Sequence, residues 1–215
     1  CVEGNSLIYS LFIENNIPFK KTGKLIVATN CQETLELEKL LSRGNENGVK
    51  GLYMLHGRIV KTLEENILAQ EALISVESGI VDVHKLMDYF EYRLKENNGV
   101  LSCNSEVIGI EKNSGTYRIT VKNDDGSFFS FKSRVLINSA GLSSDKLSEM
   151  AGIKDEKYKI HYCKGEYFIV NNGRGKINRL IYPVPDKKLV GLGIHATIDM
   201  AGEIRLGPNA FYVDE

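Results

Sequence analysis

The stretch Val135-Leu136-Ile137-Asn138-Ser139-Ala140-Gly141-Leu142-Ser143-Ser144-Asp145 reads as a short strand, a turn of small residues and a helix start. Val135 to Ile137 is an apolar run of the kind that fills a buried strand. Ser139, Ala140 and Gly141 remove side-chain bulk from the turn. Ser143 or Ser144 can cap the following helix, whose apolar face is Leu147, Met150 and Ala151, and Gly152 ends it. Such a unit lets backbone approach a ligand at the carboxyl edge of a sheet. An ordinary strand–helix connection uses the same residue types.

Upstream, Leu7, Ile8, Leu11 and Phe12 recur at helical spacing until Asn15-Asn16-Ile17-Pro18 stops the helix. Lys24 to Ala28 predicts a buried strand, and residues 32–44 a helix with Leu37, Leu40 and Leu41 on one face, closed by a polar turn at 45–48. Residues 51–66 are ambiguous: a short strand near 52–55 and a helical turn near 62–66. Residues 72–77 are strand-like. Asp82 is a good N-cap for a helix whose stripe of Val83, Leu86, Met87, Phe90 and Leu94 reads as core, ending at Asn97-Asn98-Gly99. Residues 100–110, Tyr117 to Val121, and Phe129 with Phe131 form a predicted β-meander, turned at Asp124-Asp125-Gly126 and laid against a parallel sheet. Beyond Tyr158 helical spacing ends, and residues 159–170, 179–182, 189–197 and 203–206 predict a mostly antiparallel sheet.

Composition narrows the function classes. At 215 residues and 42% hydrophobic, the chain can bury a core as one large or two small domains. A formal net charge of −1 argues against a nucleic-acid footprint. No apolar run approaches the roughly 20 residues of a membrane span, and no signal-peptide pattern opens the chain. The four cysteines, Cys1, Cys31, Cys103 and Cys163, are scattered; reduced, mostly buried thiols of a cytosolic protein are expected. The four histidines lack ligand spacing, so no metal site is expected.

Two glycine patterns mislead. Gly191-Leu192-Gly193-Ile194-His195-Ala196 fits G-x-G-x-x-A, but no helix follows it, as a dinucleotide fingerprint requires. Gly173-Arg174-Gly175-Lys176 is no phosphate loop, with Val170 and Ile177 at key positions.

Asn138-Ser139-Ala140-Gly141-Leu142 resembles the second flavin-contact segment of the D-amino-acid-oxidase-like superfamily of FAD-dependent oxidoreductases, usually N-A/C-A-G. Lys164-Gly165-Glu166-Tyr167, Leu180-Ile181-Tyr182-Pro183-Val184-Pro185, Gly193-Ile194-His195 and Leu206-Gly207-Pro208-Asn209-Ala210 follow in order. The ordered set resembles one branch, the L-2-hydroxyglutarate dehydrogenase/oxidase family. The resemblance implies an α/β (mixed α+β) fold, part of a FAD-binding Rossmann-like domain interleaved with a mostly antiparallel-sheet substrate domain. Residues 1–18 and 76–157 would belong to the first, and 19–75 and 158–215 to the second, both incomplete.

By the same resemblance Val107, Ser139, Ala140 and Gly141 would contact FAD, with Gly207 and Pro208 near its ring. His195, in the family's G-V-H-F-T segment, would be catalytic, although a strand histidine bonded to backbone is the plainer reading. A neutral imidazole near pH 7 suits proton removal from a secondary alcohol. Tyr182, Lys164 and Thr197 would bind substrate. Lys164 replaces the family's Arg, Ala196 replaces a common aromatic, and Glu64-Glu65 replaces Glu-Pro. Lys holds a carboxylate as a point charge, where Arg grips it bidentately.

The chain starts at Cys1 and holds no Gly-rich pyrophosphate turn, so it reads as a fragment that retains FAD weakly or not at all. The intact enzyme is expected to oxidise a 2-hydroxy acid and pass electrons to oxygen or a quinone. The alternatives are oxidation of a glycine-like or D-amino acid, or a non-catalytic module without flavin. A cytoplasmic location is expected, with peripheral membrane contact in the intact enzyme. Exposed sheet edges in the fragment would favour a dimer.

Overall fold

The larger sheet is anchored by a helix whose start is written locally. Asn30 Oδ1 accepts from the Glu33 N–H at 3.0 Å, and Glu33 Oε2 reaches back to the Thr29 N–H at 2.6 Å. These reciprocal bonds satisfy one first-turn donor and the N–H of the residue before the cap. The resulting helix α2 (Cys31–Glu46) follows α1 (Val2–Glu14), β1 (Phe19–Lys20) and β2 (Lys24–Ala28). The computed structural model describes residues 1–185 and 193–213. They cluster into two compact units, residues 1–93 with 164–211, and residues 94–163 with the chain from 212.

In the first unit β3 (Leu52–His56), α3 (Gly57–Leu63), β4 (Glu71–Ser75), β5 (Ile80–Val81) and α4 (Val83–Glu96) complete the amino-terminal part. After the second unit, β9 (Cys163–Lys164), β10 (Phe168–Ile169), β11 (Leu180–Pro183), β12 (His195–Ile198), β13 (Ile204–Gly207) and β14 (Phe211–Tyr212) follow. Seven strands form one sheet in the order β10-β13-β12-β11-β2-β4-β3. All its described neighbours are antiparallel except β11 against β2. Period-2 alternation divides the two faces. On one face Leu25, Ala72, Ile74, Ile181 and Ile204 pack with Val60 of α3. On the other, Ile26, Ala28 and Leu73 pack under Leu37, Leu40 and Leu41 of α2. The leucine face expected for α2 is therefore a core face.

Glu64, just past α3, is 1% exposed. Both of its carboxylate oxygens accept from the Asn178 N–H, at 3.2 and 3.0 Å, and Arg179 Nη1 donates to Oε1 at 2.9 Å. Arg179 Nη1 also donates to the Leu63 carbonyl at 3.2 Å. A buried carboxylate thus ties α3 to the residues that lead into β11.

In the second unit β6 (Ser105–Asn113), β7 (Thr116–Asn123) and β8 (Phe128–Ser133) form the expected meander as a three-stranded sheet, with α5 (Ser144–Met150) packed on β6. No parallel strand pair lies beside it among the described residues, contrary to expectation. Val135 to Ile137 is not a strand either: Val135 is 70% and Ile137 81% exposed. An apolar run becomes a strand only where another edge offers ladder bonds, and sequence does not encode that partner.

Other expectations shift for similar reasons. The α4 stripe is largely exposed at Val83, Met87 and Phe90; only Leu86 and Tyr89 join the Tyr9–Phe12–Ile17 cluster. In α1 the buried side chains are Tyr9 and Phe12, while Leu7 is exposed. The helical turn expected at 62–66 sits earlier, as α3. The expected 159–170 strand is broken into β9 and β10. Of the expected 189–197 strand, residues 189–192 lie outside the described residues, and β12 begins at His195. All four thiols are free, but exposed rather than buried. Asp82 caps α4 as expected, accepting from the Lys85 N–H at 3.1 Å.

Candidate substrate face and flavin-contact turn

α2 covers only the β2-β4-β3 half of its sheet face. The same face of β11, β12 and β13 carries Tyr182, His195, Thr197, Arg205 and Gly207, placed together by register. His195 pairs with Gly207 and Thr197 with Arg205. Gly207 has φ of +151°, and a Cβ there would lie 2.6 Å from the Glu166 carbonyl oxygen and 2.9 Å from Tyr167 Cδ1. Only glycine permits both the conformation and the approach. The cis Gly207–Pro208 bond follows. Asn209 then clamps the facing loop: the Glu166 N–H donates to its Oδ1 at 2.7 Å, and its Nδ2 donates to Glu166 Oε2 at 3.1 Å. Two motifs some forty residues apart therefore build one structure.

That close approach sets Tyr167 beside His195. His195 is 5% exposed, and Nδ1 lies 2.9 Å from the Gly193 carbonyl oxygen. A carbonyl only accepts, so Nδ1 is the donor in this contact, and Nε2 is the ring nitrogen left to face other groups. Nε2 stands 3.5 Å from the Tyr167 hydroxyl. The Tyr182 ring stacks on the imidazole at 4.2 Å and 5°. Burial, and secondarily Tyr167, raises the Tyr182 pKa above the ordinary phenol value. Tyr182 therefore remains an O–H donor at neutral pH. Lys24 Nζ lies 5.3 Å from the Tyr182 ring centroid. His195 thus makes the backbone bond of the plainer reading through Nδ1 and leaves Nε2 facing the Tyr167 hydroxyl.

Replacing Gly207 by alanine is expected to cost roughly 2 kcal/mol or more, from backbone strain and displacement of Tyr167. Urea unfolding measures this. Wild-type stability would show that the Tyr167 loop does not dock as described.

The other expected substrate residues stand apart to different degrees. Thr197 is half-buried two residues along β12 from His195, on the same face. Lys164 is exposed and ion-paired to Glu166 Oε1 at 2.8 Å, with its Nζ 5.6 Å from the Phe211 ring centroid. Its recorded partners include neither Tyr182 nor His195. Tyr167, absent from the expected site residues, is present in the Lys164–Tyr167 motif; only the tertiary structure brings it beside His195.

In the second unit the small-residue turn is organised by Asn138. Its Oδ1 accepts from the Ala140 N–H at 3.2 Å, and its Nδ2 donates to the Ser144 carbonyl at 2.7 Å. Neither expected serine caps α5: Ser143 makes no cap bond and Ser144 Oγ donates to the Gly141 carbonyl. Asp145 instead accepts from the Ile160 N–H at 3.1 Å, a bond that is the main cause of its lowered pKa. Gly152 does end α5, the Ile153 N–H reaching the Ser148 carbonyl at 2.9 Å. Ser139, Ala140 and Gly141 are exposed. Gly141 has φ of +57° and nothing within 4 Å of where a Cβ would be. Slim, uncovered backbone of this kind fits a flat cofactor lying against it. Val107 is half-buried on β6, opposite Val121 of β7. Among the described residues no cluster of His, Cys, Asp and Glu has metal-holding geometry, and no helix is long and apolar enough to cross a membrane.

The DAO family model, described as FAD dependent oxidoreductase, matches residues 1–215. The L-2-hydroxyglutarate dehydrogenase of Caenorhabditis briggsae mitochondria is 36% identical over 213 residues, covering 98% of this chain and 49% of that protein. Its Mus musculus counterpart is 34% identical over 220 residues, covering 98% and 47%. The chain thus spans about half the length of the curated relatives it matches. Among solved structures, the FAD-bound, dithionite-reduced L-alpha-glycerophosphate oxidase of Mycoplasma pneumoniae superposes with a TM-score of 0.85 at 26% identity, covering 99% of this chain and 56% of that one. The L-proline dehydrogenase of P. horikoshii shares the fold with a TM-score of 0.80 at 21% identity, covering 98% and 54%.

Proposed function

Because the chain belongs to the DAO family of FAD-dependent oxidoreductases, we propose that the whole protein oxidises a 2-hydroxy acid of the L-2-hydroxyglutarate type to the 2-oxo acid. One observation supports the reading: a buried histidine whose Nδ1 donates to the Gly193 carbonyl, leaving Nε2 behind the Tyr167 hydroxyl on the open sheet face. Bound FAD supplies the acceptor for the hydride leaving the α-carbon. His195 takes the hydroxyl proton at Nε2, with Tyr167 at the same atom. Tyr182 holds the imidazole plane by stacking and offers its phenol to the substrate carboxylate. Thr197 lines the same face, and Lys164 contributes once it leaves Glu166.

Val107, Ser139, Ala140 and Gly141 are assigned to FAD contact, and Gly207 and Pro208 to the neighbourhood of its ring. Residues 1–18 and 76–157 serve the flavin, and residues 19–75 and 158–215 the substrate. Oxygen or a quinone is the final acceptor.

The test is anaerobic addition of L-2-hydroxyglutarate to the whole protein carrying FAD. The visible flavin absorbance is expected to bleach, with no ammonia released. Bleaching by glycine or a D-amino acid instead, with ammonia, would transfer the assignment to amine oxidation. A protein that takes up no FAD would be a non-catalytic module.

A further inference from the structure

Four cations of the first unit are occupied. Lys20 Nζ donates to the Met200 carbonyl at 2.8 Å. Arg179 is committed to Glu64 at 2.9 Å and Lys164 to Glu166 at 2.8 Å. Arg205 lies between Glu203 at 3.2 Å and Asp199 at 3.6 Å. Lys24 differs. Among the described residues no carboxylate stands within ion-pair distance of it, and its ammonium lies over the Tyr182 ring.

Its place on the strand explains this. Lys24, Ile26 and Ala28 share one face of β2, and α2 covers Ile26 and Ala28. Lys24 is thus the position at which the covered half of the face gives way to the open half. It is half-buried, and its register partners, Leu180 on β11 and Ser75 on β4, bring no charge. A partly desolvated ammonium over an aromatic ring is a prepared site for an anion.

Strand order fixes which anion. β11 lies between β2 and β12, so Lys24 flanks Tyr182 on one side and His195 on the other. A substrate with its hydroxyl and α-carboxylate at His195 would extend past the Tyr182 ring before reaching Lys24. We propose that Lys24 binds the distal carboxylate of the substrate and makes this site selective for dicarboxylic 2-hydroxy acids. The proposal rests on the hydroxy-acid reading above and adds a specificity determinant to it.

The experiment compares Lys24→Met and Lys24→Arg with wild type in the whole protein carrying FAD. L-2-hydroxyglutarate and the monocarboxylate L-2-hydroxybutyrate serve as substrates, and glutarate and butyrate as non-reacting ligands. In Lys24→Met the KM for L-2-hydroxyglutarate is expected to rise about 10- to 100-fold more than that for L-2-hydroxybutyrate, with kcat changing far less. Lys24→Arg should restore most of the discrimination. Equal effects on both substrates, or an unchanged dicarboxylate KM, would overturn the proposal. Glutarate binding, followed calorimetrically, separates the two levels. If wild type oxidises neither acid, the hydroxy-acid reading fails. Selective loss of glutarate over butyrate binding in Lys24→Met would still support the carboxylate site. Glutarate bound equally by both forms, or by neither, would sink it.

Discussion

Replacement of His195 by alanine, in the whole protein carrying FAD, is expected to lower the rate of flavin reduction by about 10²- to 10⁴-fold. The Nδ1 bond to the Gly193 carbonyl fixes the tautomer, so Nε2 is the atom able to receive the alcohol proton. Without it the proton must pass to water from a site shielded by two tyrosines. Because alanine would also leave a cavity under Tyr182, His195→Gln is the sharper variant. It keeps much of the volume and a donor toward Gly193, but has no basic nitrogen. Stopped-flow reduction by L-2-hydroxyglutarate reads the effect. Loss of rate in both variants with an unchanged thermal midpoint in His195→Gln assigns the base. A decrease below about threefold in His195→Gln would remove His195 from the proton step.

Glu64→Ala is expected to be the most destabilising single charge deletion, at about 3 kcal/mol. The substitution leaves the Asn178 N–H without its acceptor and the Arg179 guanidinium without its carboxylate. Arg179 is 25% exposed, so water recovers part of the loss, which keeps the estimate at the low end for a broken buried pair. Glu64→Gln should cost less, since an amide oxygen still accepts from Asn178. Equilibrium urea unfolding gives the difference. A cost under 1 kcal/mol for the alanine variant would mean that Glu64 does not anchor the entry to β11.

Local signals are legible in the sequence. The α2 leucines, the Asp82 cap, the meander and the Gly152 helix end each depend on residues within a turn or two of one another. The misreadings share one cause. Val135 to Ile137 and the α4 stripe are apolar segments whose burial needs a distant surface, and the described residues leave them largely exposed. Burial of the thiols failed similarly, because a cysteine's environment is set by neighbours remote in sequence. The bridging role of Asn138 is not legible in the sequence, since a side-chain amide bridging a turn has no periodic signature.

The site divides along the same line. Motif order alone assigned the family and named His195, Tyr182, Gly207 and Pro208. It leaves His195 with two competing readings; the tertiary structure shows the backbone bond at Nδ1 and the Tyr167 hydroxyl at Nε2. Tyr167, Glu64 and Lys24 emerged only in three dimensions. Glu64 meets Arg179 across more than a hundred residues of chain, and Lys24 meets Tyr182 through a parallel strand pair. Sequence determined the residue types, the local turns and the ordered motifs, because these follow from short-range sterics and hydrogen bonding. Only the tertiary structure decided which side chains face one another, because strand register and sheet order are set by the packing of the whole unit.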